Sequence, residues 1–157
     1  LDIGKKIKTQ ARQAMRDGQY VSARPKYGYL KDPNNCHKLI VNPDTAPVVK
    51  LIFELFNGGM AMNEICLQLN EKQIPKNRIL YLNLENLKDV PNFNIKEYID
   101  VFLKDVNEAY PTVKNQVFIF VDESQYSKNW ASLGKIIFDE DKNVFMIFTG
   151  IHYCSSS

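Results

Sequence analysis

The sequence predicts a mixed α/β fold in two parts: a helix-rich N-terminal region with short strands, and a three-stranded parallel α/β sheet. Up to Pro75, apolar residues recur at helical spacing and alternate with short strand-like pieces. After Pro75 the order becomes strand, helix, strand, helix, strand, which is typical of a layered sheet. We therefore expect one domain over residues 1–76 and a second over 77–157.

The N-terminal part is predicted to be mainly helical. Apolar residues at helical spacing predict a helix over residues 4–17 with a basic outer face, and Gly18 is a natural stop. Helices joined by a tight glycine turn, as expected here at Gly58 and Gly59, form a helix-turn-helix-like arrangement. The predicted short strands and the two later helices cover 20–22, 27–29, 39–41, 45–57 and 62–72.

The C-terminal part is predicted to be a sheet with crossover helices. Residues 117–121 are a continuous apolar run, which is typical of a parallel strand buried on both faces. Asn94 is positioned to cap the helix that precedes this strand. The other predicted strands and the two helices cover 79–84, 144–148, 95–110 and 129–138.

Charge and cysteine content narrow the possible partners. The chain has a net charge of +2, yet residues 1–76 carry 12 Lys and Arg against 7 Asp and Glu, while residues 77–157 carry 8 against 11. A basic first half agrees with nucleic-acid binding. The three cysteines form no Cys-x-x-Cys pair, and Cys36 with His37 lacks further ligands at usable spacing, so no disulfide framework or metal site is expected. Without a membrane span or a signal peptide, we expect a cytoplasmic location, no membrane partner and a frayed serine tail.

A first motif lies in the basic half. Residues 24–29 read Arg-Pro-Lys-Tyr-Gly-Tyr, Asn42-Pro43-Asp44 precedes an apolar helix, and Ile74-Pro75 closes the stretch. Over residues 5–75 the chain resembles the DNA-binding "recombinase" domain of large serine recombinases. The resemblance implies a double-stranded DNA partner, with cations near phosphates and tyrosines near sugar or base edges. The candidate DNA-binding residues are Lys5, Lys8, Arg12, Arg16, Arg24, Lys26, Tyr27 and Tyr29.

The same residues also fit a purely structural interpretation. Tyr27 and Tyr29 are ordinary packing residues in many folds, and Arg24 could pair with Asp17 or Asp44. Strand exchange in the resembled family requires a serine nucleophile on a preceding domain, and the zinc ribbon that normally follows is replaced here from about Lys76. We therefore expect this chain not to cut DNA.

A second motif lies at the end of the predicted central strand. Residues 117–123 read Val-Phe-Ile-Phe-Val-Asp-Glu, so an apolar run ends in two carboxylates. Over residues 77–157 the chain resembles the core of AAA-type ATPases whose second acidic motif, the Walker B motif, runs Asp-Glu-x-Gln. The resemblance implies that Asp122 holds magnesium through water and that Glu123 polarises an attacking water. Four further residues follow in the order of that family: Gln125, Trp130, Lys135 and Thr149.

Two departures from that family argue against turnover. The sequence contains no Gly-x-x-x-x-Gly-Lys-Ser/Thr phosphate loop, and Ile151 stands where the family favours serine. We therefore expect a truncated core with no cofactor, in which Asp122 and Glu123 are vestigial or simply solvated. Mg-ATP is expected only if a partner supplies the missing loop.

Loss of the phosphate-loop strand is expected to leave residues 144–148 at the edge of the sheet. An apolar edge strand invites pairing. We expect this strand, Val144–Phe148, to be covered by the first half, to pair with a second chain, or to promote aggregation.

The leading hypothesis is a non-catalytic DNA-binding fragment of a serine recombinase, from a mobile element, fused to an incomplete ATPase core. Two alternatives remain open at this point. One is an ATPase module that a partner completes in trans, and the other is a nonfunctional chimeric fragment. A cooperative unfolding transition would speak against the last of these.

Overall fold

The computed structural model describes residues 3–22, 24–109, 116–140 and 143–150. Within them the backbone forms six α-helices, two short 3-10 helices and five strands. The α-helices and strands are α1 (Ile3–Arg16), β1 (Tyr29–Asp32), β2 (Asn35–Val41), α2 (Ala46–Asn57), α3 (Met62–Glu71), β3 (Ile79–Asn83), α4 (Leu84–Leu87), α5 (Ile95–Ala109), β4 (Val117–Asp122), α6 (Trp130–Glu140) and β5 (Val144–Phe148). The predicted mixed α/β class is confirmed. Tyr110, Ile151, Cys154 and the serine tail, on which parts of the sequence predictions fall, lie outside the described residues.

Two compact units make up the chain, an N-terminal unit (Leu1–Glu54) and a C-terminal unit (Leu55–Ser157). The division falls inside α2, whereas the sequence places the boundary at residues 76 and 77, which stays a prediction. No described helix has both the length and the apolar character that a membrane crossing requires.

The N-terminal unit contains α1, an antiparallel hairpin of β1 and β2, and most of α2. The chain leaves α1 through a Schellman motif: Gly18 has φ +73°, and the amides of Gly18 and Gln19 donate to the carbonyls of Met15 and Ala14. The hairpin pairs Tyr29 with Val41 at its open end. No residue of α1 is buried.

The strand predicted at 20–22 is wrong, and the one predicted around 27–29 begins only at Tyr29. Two residues explain the difference. Pro25 has no amide hydrogen to give to a ladder, and Gly28 has φ +92°, which is incompatible with an extended strand. The segment that carries Arg24 and Lys26 is therefore a loop.

The C-terminal unit is built on a parallel sheet in the order β3-β4-β5. The central strand β4 is buried at five of its six positions, as its continuous apolar sequence predicts. On one face, Ile119 and Val121 lie in a hydrophobic core that α5 and α6 complete, with Ile99 and Ile137 fully buried. Because β3 and β5 each pair with β4 alone among the described strands, β5 stands at the predicted edge.

Most helix and strand bounds agree with the sequence to within one or two residues. The predicted cap of α5 is confirmed, because the Asn94 side chain accepts hydrogen bonds from the amides of Lys96 and Glu97. Gly59, with φ +86°, ends α2 in a second Schellman motif, as the glycine pair predicts.

Candidate functional site

Polar side chains gather where the three parallel strands end. In the strand register, Asn83 of β3 lies opposite Asp122 of β4, and Thr149 follows directly after β5. The Thr149 amide continues the ladder by donating to the Val121 carbonyl at 2.9 Å. Carboxyl ends of parallel strands meet at one edge of a sheet, which is where open α/β sheets commonly bind ligands. We call the group of Tyr81, Asp122, Glu123, Gln125 and Thr149 the acidic cluster.

Asp122 is held by three donors. The Thr149 hydroxyl and the Glu123 amide donate to Oδ1, the latter at 3.0 Å, and the Tyr81 hydroxyl donates to Oδ2 at 3.2 Å. Burial raises the pKa of Tyr81, and the nearby Asp122 charge raises that pKa further while a hydrogen bond with Asn83 acts in the opposite direction. The Asp122 carboxylate is therefore fixed in one orientation by its own chain.

Glu123 sits at a sharp change of backbone direction. It has φ +55° and ψ +43°, a left-handed conformation that is uncommon for residues other than glycine. The Gln125 side-chain amide donates to the Glu123 carboxylate. This bond fixes the second carboxylate beside the first.

The segment after β5 packs closely against this turn. The amide of Ser124, whose side chain is buried, donates to the Thr149 carbonyl at 2.8 Å. A Cβ atom at Gly150 would lie 3.1 Å from the Ser124 amide nitrogen and would collide with Oε1 of Gln125. That Oε1 atom is buried and has no hydrogen-bond partner in the described structure. Thr149-Gly150 is therefore matched to the Asp-Glu-x-Gln segment by hydrogen bonds and by shape.

The other two residues singled out by the AAA motif lie outside the acidic cluster. The Trp130 ring packs against Phe148, with 5.1 Å between ring centroids. Lys135 is exposed on α6 and pairs with Asp139 one turn later. Trp130 thus contributes to packing under β5, and Lys135 contributes a surface ion pair.

The acidic cluster does not by itself fit a nucleotide. Asp122 accepts hydrogen bonds from Thr149, Glu123 and Tyr81, and the whole sequence lacks a phosphate loop. No group of three or more His, Cys, Asp or Glu side chains in the described ranges is arranged to hold a metal ion. Triphosphate binding requires amides and cations that would have to come from elsewhere.

A second candidate site is the basic stripe, which we define as Lys5, Lys8, Arg12 and Arg16 of α1. These four positions fall along one face of the helix because they are spaced by three or four residues, and all four are exposed. The helix carries no acidic residue. The arrangement is a positively charged ridge about 17 Å long, at 1.5 Å per residue.

The arginine-tyrosine segment is only partly available to a ligand. Arg24 and Lys26 are exposed, and the Tyr20 hydroxyl donates to the Arg24 carbonyl. Tyr27 is half-buried, and burial raises its pKa. Tyr29 is 46% exposed on β1. Tyr27 is therefore placed for packing, while Tyr29 presents its ring to solvent.

Sequence reasoning missed two residues of the acidic cluster and its surroundings, Tyr81 and Ser124. Tyr81 could have been found from the strand alternation, since it lies on the same face of β3 as Asn83, beside the end of β4. Gly150 follows Thr149 in the motif, but its close approach to Gln125 depends on the fold.

Comparison with known families covers both parts of the chain. A family model described as "Recombinase" matches residues 43–80, which include α2 and α3. This match begins after the basic stripe and the arginine-tyrosine segment. No curated protein and no solved structure matches the chain.

A second family model, described as "AAA domain", matches residues 64–154. The matched range covers the whole parallel sheet and the acidic cluster. It also overlaps the recombinase match over residues 64–80. With more than half of its length matched, the chain belongs to the AAA domain family and carries a recombinase-like stretch ahead of it.

Proposed function

We propose that this chain binds double-stranded DNA through a large serine recombinase module fused to an AAA core that turns over no nucleotide alone. The basic stripe is the observation that carries this proposal. Four exposed cations on one acid-free helix face form a positive surface suited to duplex phosphates. The recombinase family model matches residues 43–80, which follow the basic stripe in the chain, and this match supports a role for the stripe in binding DNA.

The arginine-tyrosine segment is proposed as a second DNA-facing region. Arg24 and Lys26 would face phosphates from a loop, and Tyr29 would supply an exposed ring for sugar or base edges. Tyr27 would anchor the loop by packing.

The test is binding of the full chain to a fluorescein-labelled duplex, measured by anisotropy at several salt concentrations. We expect the affinity to fall with salt, and the double variant Arg12→Ala/Arg16→Ala to flatten the logarithmic slope by about 0.9 for each phosphate that is no longer neutralised. Lys50→Ala is a matched control, because Lys50 is exposed in the same unit and pairs with Glu54. An equal decrease of affinity in the control and in the double variant, or no binding at low salt, would contradict the proposal.

A second candidate function is an ATPase module completed in trans. It is favoured by the ordered carboxylates of Asp122 and Glu123 and by the edge position of β5, whose backbone can pair with a strand of a partner. Because residues 1–157 contain no phosphate loop, the partner must supply that loop. Pairing of two β5 edges would by itself give self-association without activity.

The matching experiment compares assemblies purified with the wild-type chain and with Glu123→Gln, in the presence and absence of Mg-ATP. We expect assembly to require Mg-ATP and hydrolysis to be abolished in Glu123→Gln. Glu85→Gln is the control, since Glu85 is an exposed carboxylate that accepts a hydrogen bond from Tyr126. Equal hydrolysis by the wild-type and Glu123→Gln assemblies would exclude a role for Glu123.

A further inference from the structure

An apolar groove lies on the C-terminal unit, away from the acidic cluster. It runs between β3, the segment 90–94 and α5, and it encloses about 590 Å³. Leu80 and Phe102 form part of its wall. Three apolar side chains at its mouth are unusually open to solvent: Val90 is 46% exposed, Tyr98 51% and Val101 60%. Exposed apolar residues grouped in this way mark an interaction surface.

The rim of this groove is acidic. Glu97 and Asp105 of α5 lie along it, and its other polar side chains are those of Asn92, Asn94 and Tyr98. The lining contains no lysine or arginine. Lys96, also on α5, is already bonded to Asp100 at 2.7 Å. The groove therefore suits an apolar segment flanked by cations.

The chain itself contains a segment with that chemistry. The face of α1 opposite the basic stripe is apolar, with Ile3 75% exposed and Ile7 61%. Lys6 borders this apolar face, because it follows Lys5 by one residue, or about 100° of helix rotation. At 1.5 Å per residue, α1 is about 21 Å long and α5 about 22 Å, so the two helices match in length.

We propose that α1 of one copy docks in the apolar groove of a second copy. Ile3 and Ile7 pack at the groove mouth, and Lys6 pairs with Glu97 on the acidic rim. A reciprocal exchange gives a two-fold dimer in which both apolar surfaces are covered at once. The basic stripe lies on the outer side of the docked helix, so this docking leaves the DNA-facing cations accessible.

The choice of a second copy rests on complementarity between two surfaces of one sequence. One surface is apolar with a cationic border, and the other is apolar with an acidic rim. The reciprocal exchange makes the dimer interface isologous, whereas one-way docking would close into a ring or extend as a chain. A two-fold dimer is the closed assembly with the fewest copies of the chain.

The test is sedimentation velocity of the full chain over a range of protein and salt concentrations. We expect reversible self-association that weakens between about 0.1 M and 1 M salt, where charge pairs are screened. Ile7→Asp and Val101→Asp should each weaken association by about tenfold or more, because each places a carboxylate in an apolar interface. Both residues are at least 60% exposed, so the folded chain should tolerate the changes.

Leu67→Asp on α3 is the matched control, at 60% exposure and outside both surfaces. A charge exchange sharpens the test: Lys6→Glu and Glu97→Lys should each weaken association, and the double variant should recover affinity. A chain that stays monomeric at every concentration overturns the proposal. So does association that Ile7→Asp and Val101→Asp leave unchanged, which would point to the β5 edge, or association that Leu67→Asp weakens equally.

Discussion

Helix α1 in the N-terminal unit and strand β4 in the C-terminal unit both show a clear apolar pattern, yet they are buried to opposite degrees. No residue of α1 is buried, whereas five of the six residues of β4 are. The strand receives neighbours on both sides from nearby segments of the same chain, and helices cover its face. An apolar pattern therefore shows which face of an element needs a partner, but it does not show that the same chain provides one.

The largest effect is expected when an aromatic side chain is removed from the central strand, because this tests directly whether β4 is buried. Phe120 is fully buried, so Phe120→Ala should cost about 3–5 kcal/mol of unfolding free energy, because it removes buried apolar surface and leaves a cavity. The single tryptophan, Trp130, lies in the same unit, so urea unfolding followed by its fluorescence reports this destabilisation.

Leu67→Ala provides the control for that measurement, because Leu67 is 60% exposed and should shift the unfolding free energy by less than about 0.5 kcal/mol. A cost below about 1 kcal/mol for Phe120→Ala would show that β4 is not the centre of a packed core. If the unmodified chain shows no cooperative transition, the interpretation as a nonfunctional fragment gains support instead.

A second variant tests how tightly the edge strand is held. A Cβ atom at Gly134 would lie 2.8 Å from the Phe148 ring, which also packs against Trp130. Gly134→Ala should destabilise the chain by about 1–2 kcal/mol, because overpacking outweighs the gain of about 1 kcal/mol in helix propensity. The measurement is the same urea unfolding curve.

Phe148→Leu in the Gly134→Ala background should recover part of that stability by relieving the overlap. If Gly134→Ala stabilises the chain, or if the two changes are additive, α6 does not press on β5 as described.

A smaller effect should appear in alkali. Burial raises the pKa of the Cys66 thiol from 9.0 to about 12. The folded chain then holds this proton more tightly than the unfolded chain does, so the contribution to stability is complete below pH 9 and is lost as the pH rises toward 12. The unfolding free energy, measured with urea at several pH values, should fall across this window.

Cys66→Ala should reduce that slope, and Cys36→Ala, which changes an exposed cysteine, should leave it unchanged. Tyr27 and Tyr81, whose pKa values are also raised, should sustain the remaining slope. An unchanged slope in Cys66→Ala would mean that this thiol is open to solvent.

The smallest effect is expected in α1. Ile7→Ser should change the unfolding free energy of the monomer by less than about 0.5 kcal/mol, because Ile7 is 61% exposed. The measurement is thermal unfolding at a protein concentration low enough to exclude association. A cost above about 1.5 kcal/mol would show that α1 is covered within its own chain, and the contrast with β4 would disappear.

Much of the fold could be predicted because local pattern and final environment agree. The apolar run of β4, the glycine after α2 and the asparagine before α5 each act through neighbouring backbone, which the sequence shows directly. The strands predicted around Pro25 and Gly28 are missing or begin late for the same local reason: the backbone of these two residues opposes a ladder, although their neighbours favour one.

The candidate site was only partly predictable. Asp122, Glu123, Gln125 and Thr149 meet because parallel strands end at one edge, and their order in the sequence was enough to expect this. The hydrogen bond of Tyr81 with Asp122 depends on the register between β3 and β4, which the sequence alone does not specify. Lys135 follows the order of the motif, but its side chain is exposed on α6 and lies outside the acidic cluster. The order of residues along the chain does not show which way each side chain points.

Residues 64–71 of helix α3 lie inside both family matches, and the buried residues of this helix, Met62, Ile65 and Leu69, recur at three- and four-residue spacing. The same face of α3 is therefore buried all along the helix, from the part matched only by the recombinase model into the part matched by both models. Insertion of a single residue within α3 would turn everything beyond it by about 100° and present a polar side to the interior. A junction between two ancestral genes at this point would tolerate gains or losses only in whole helical turns, so the viable lengths of related fusions should be spaced rather than continuous.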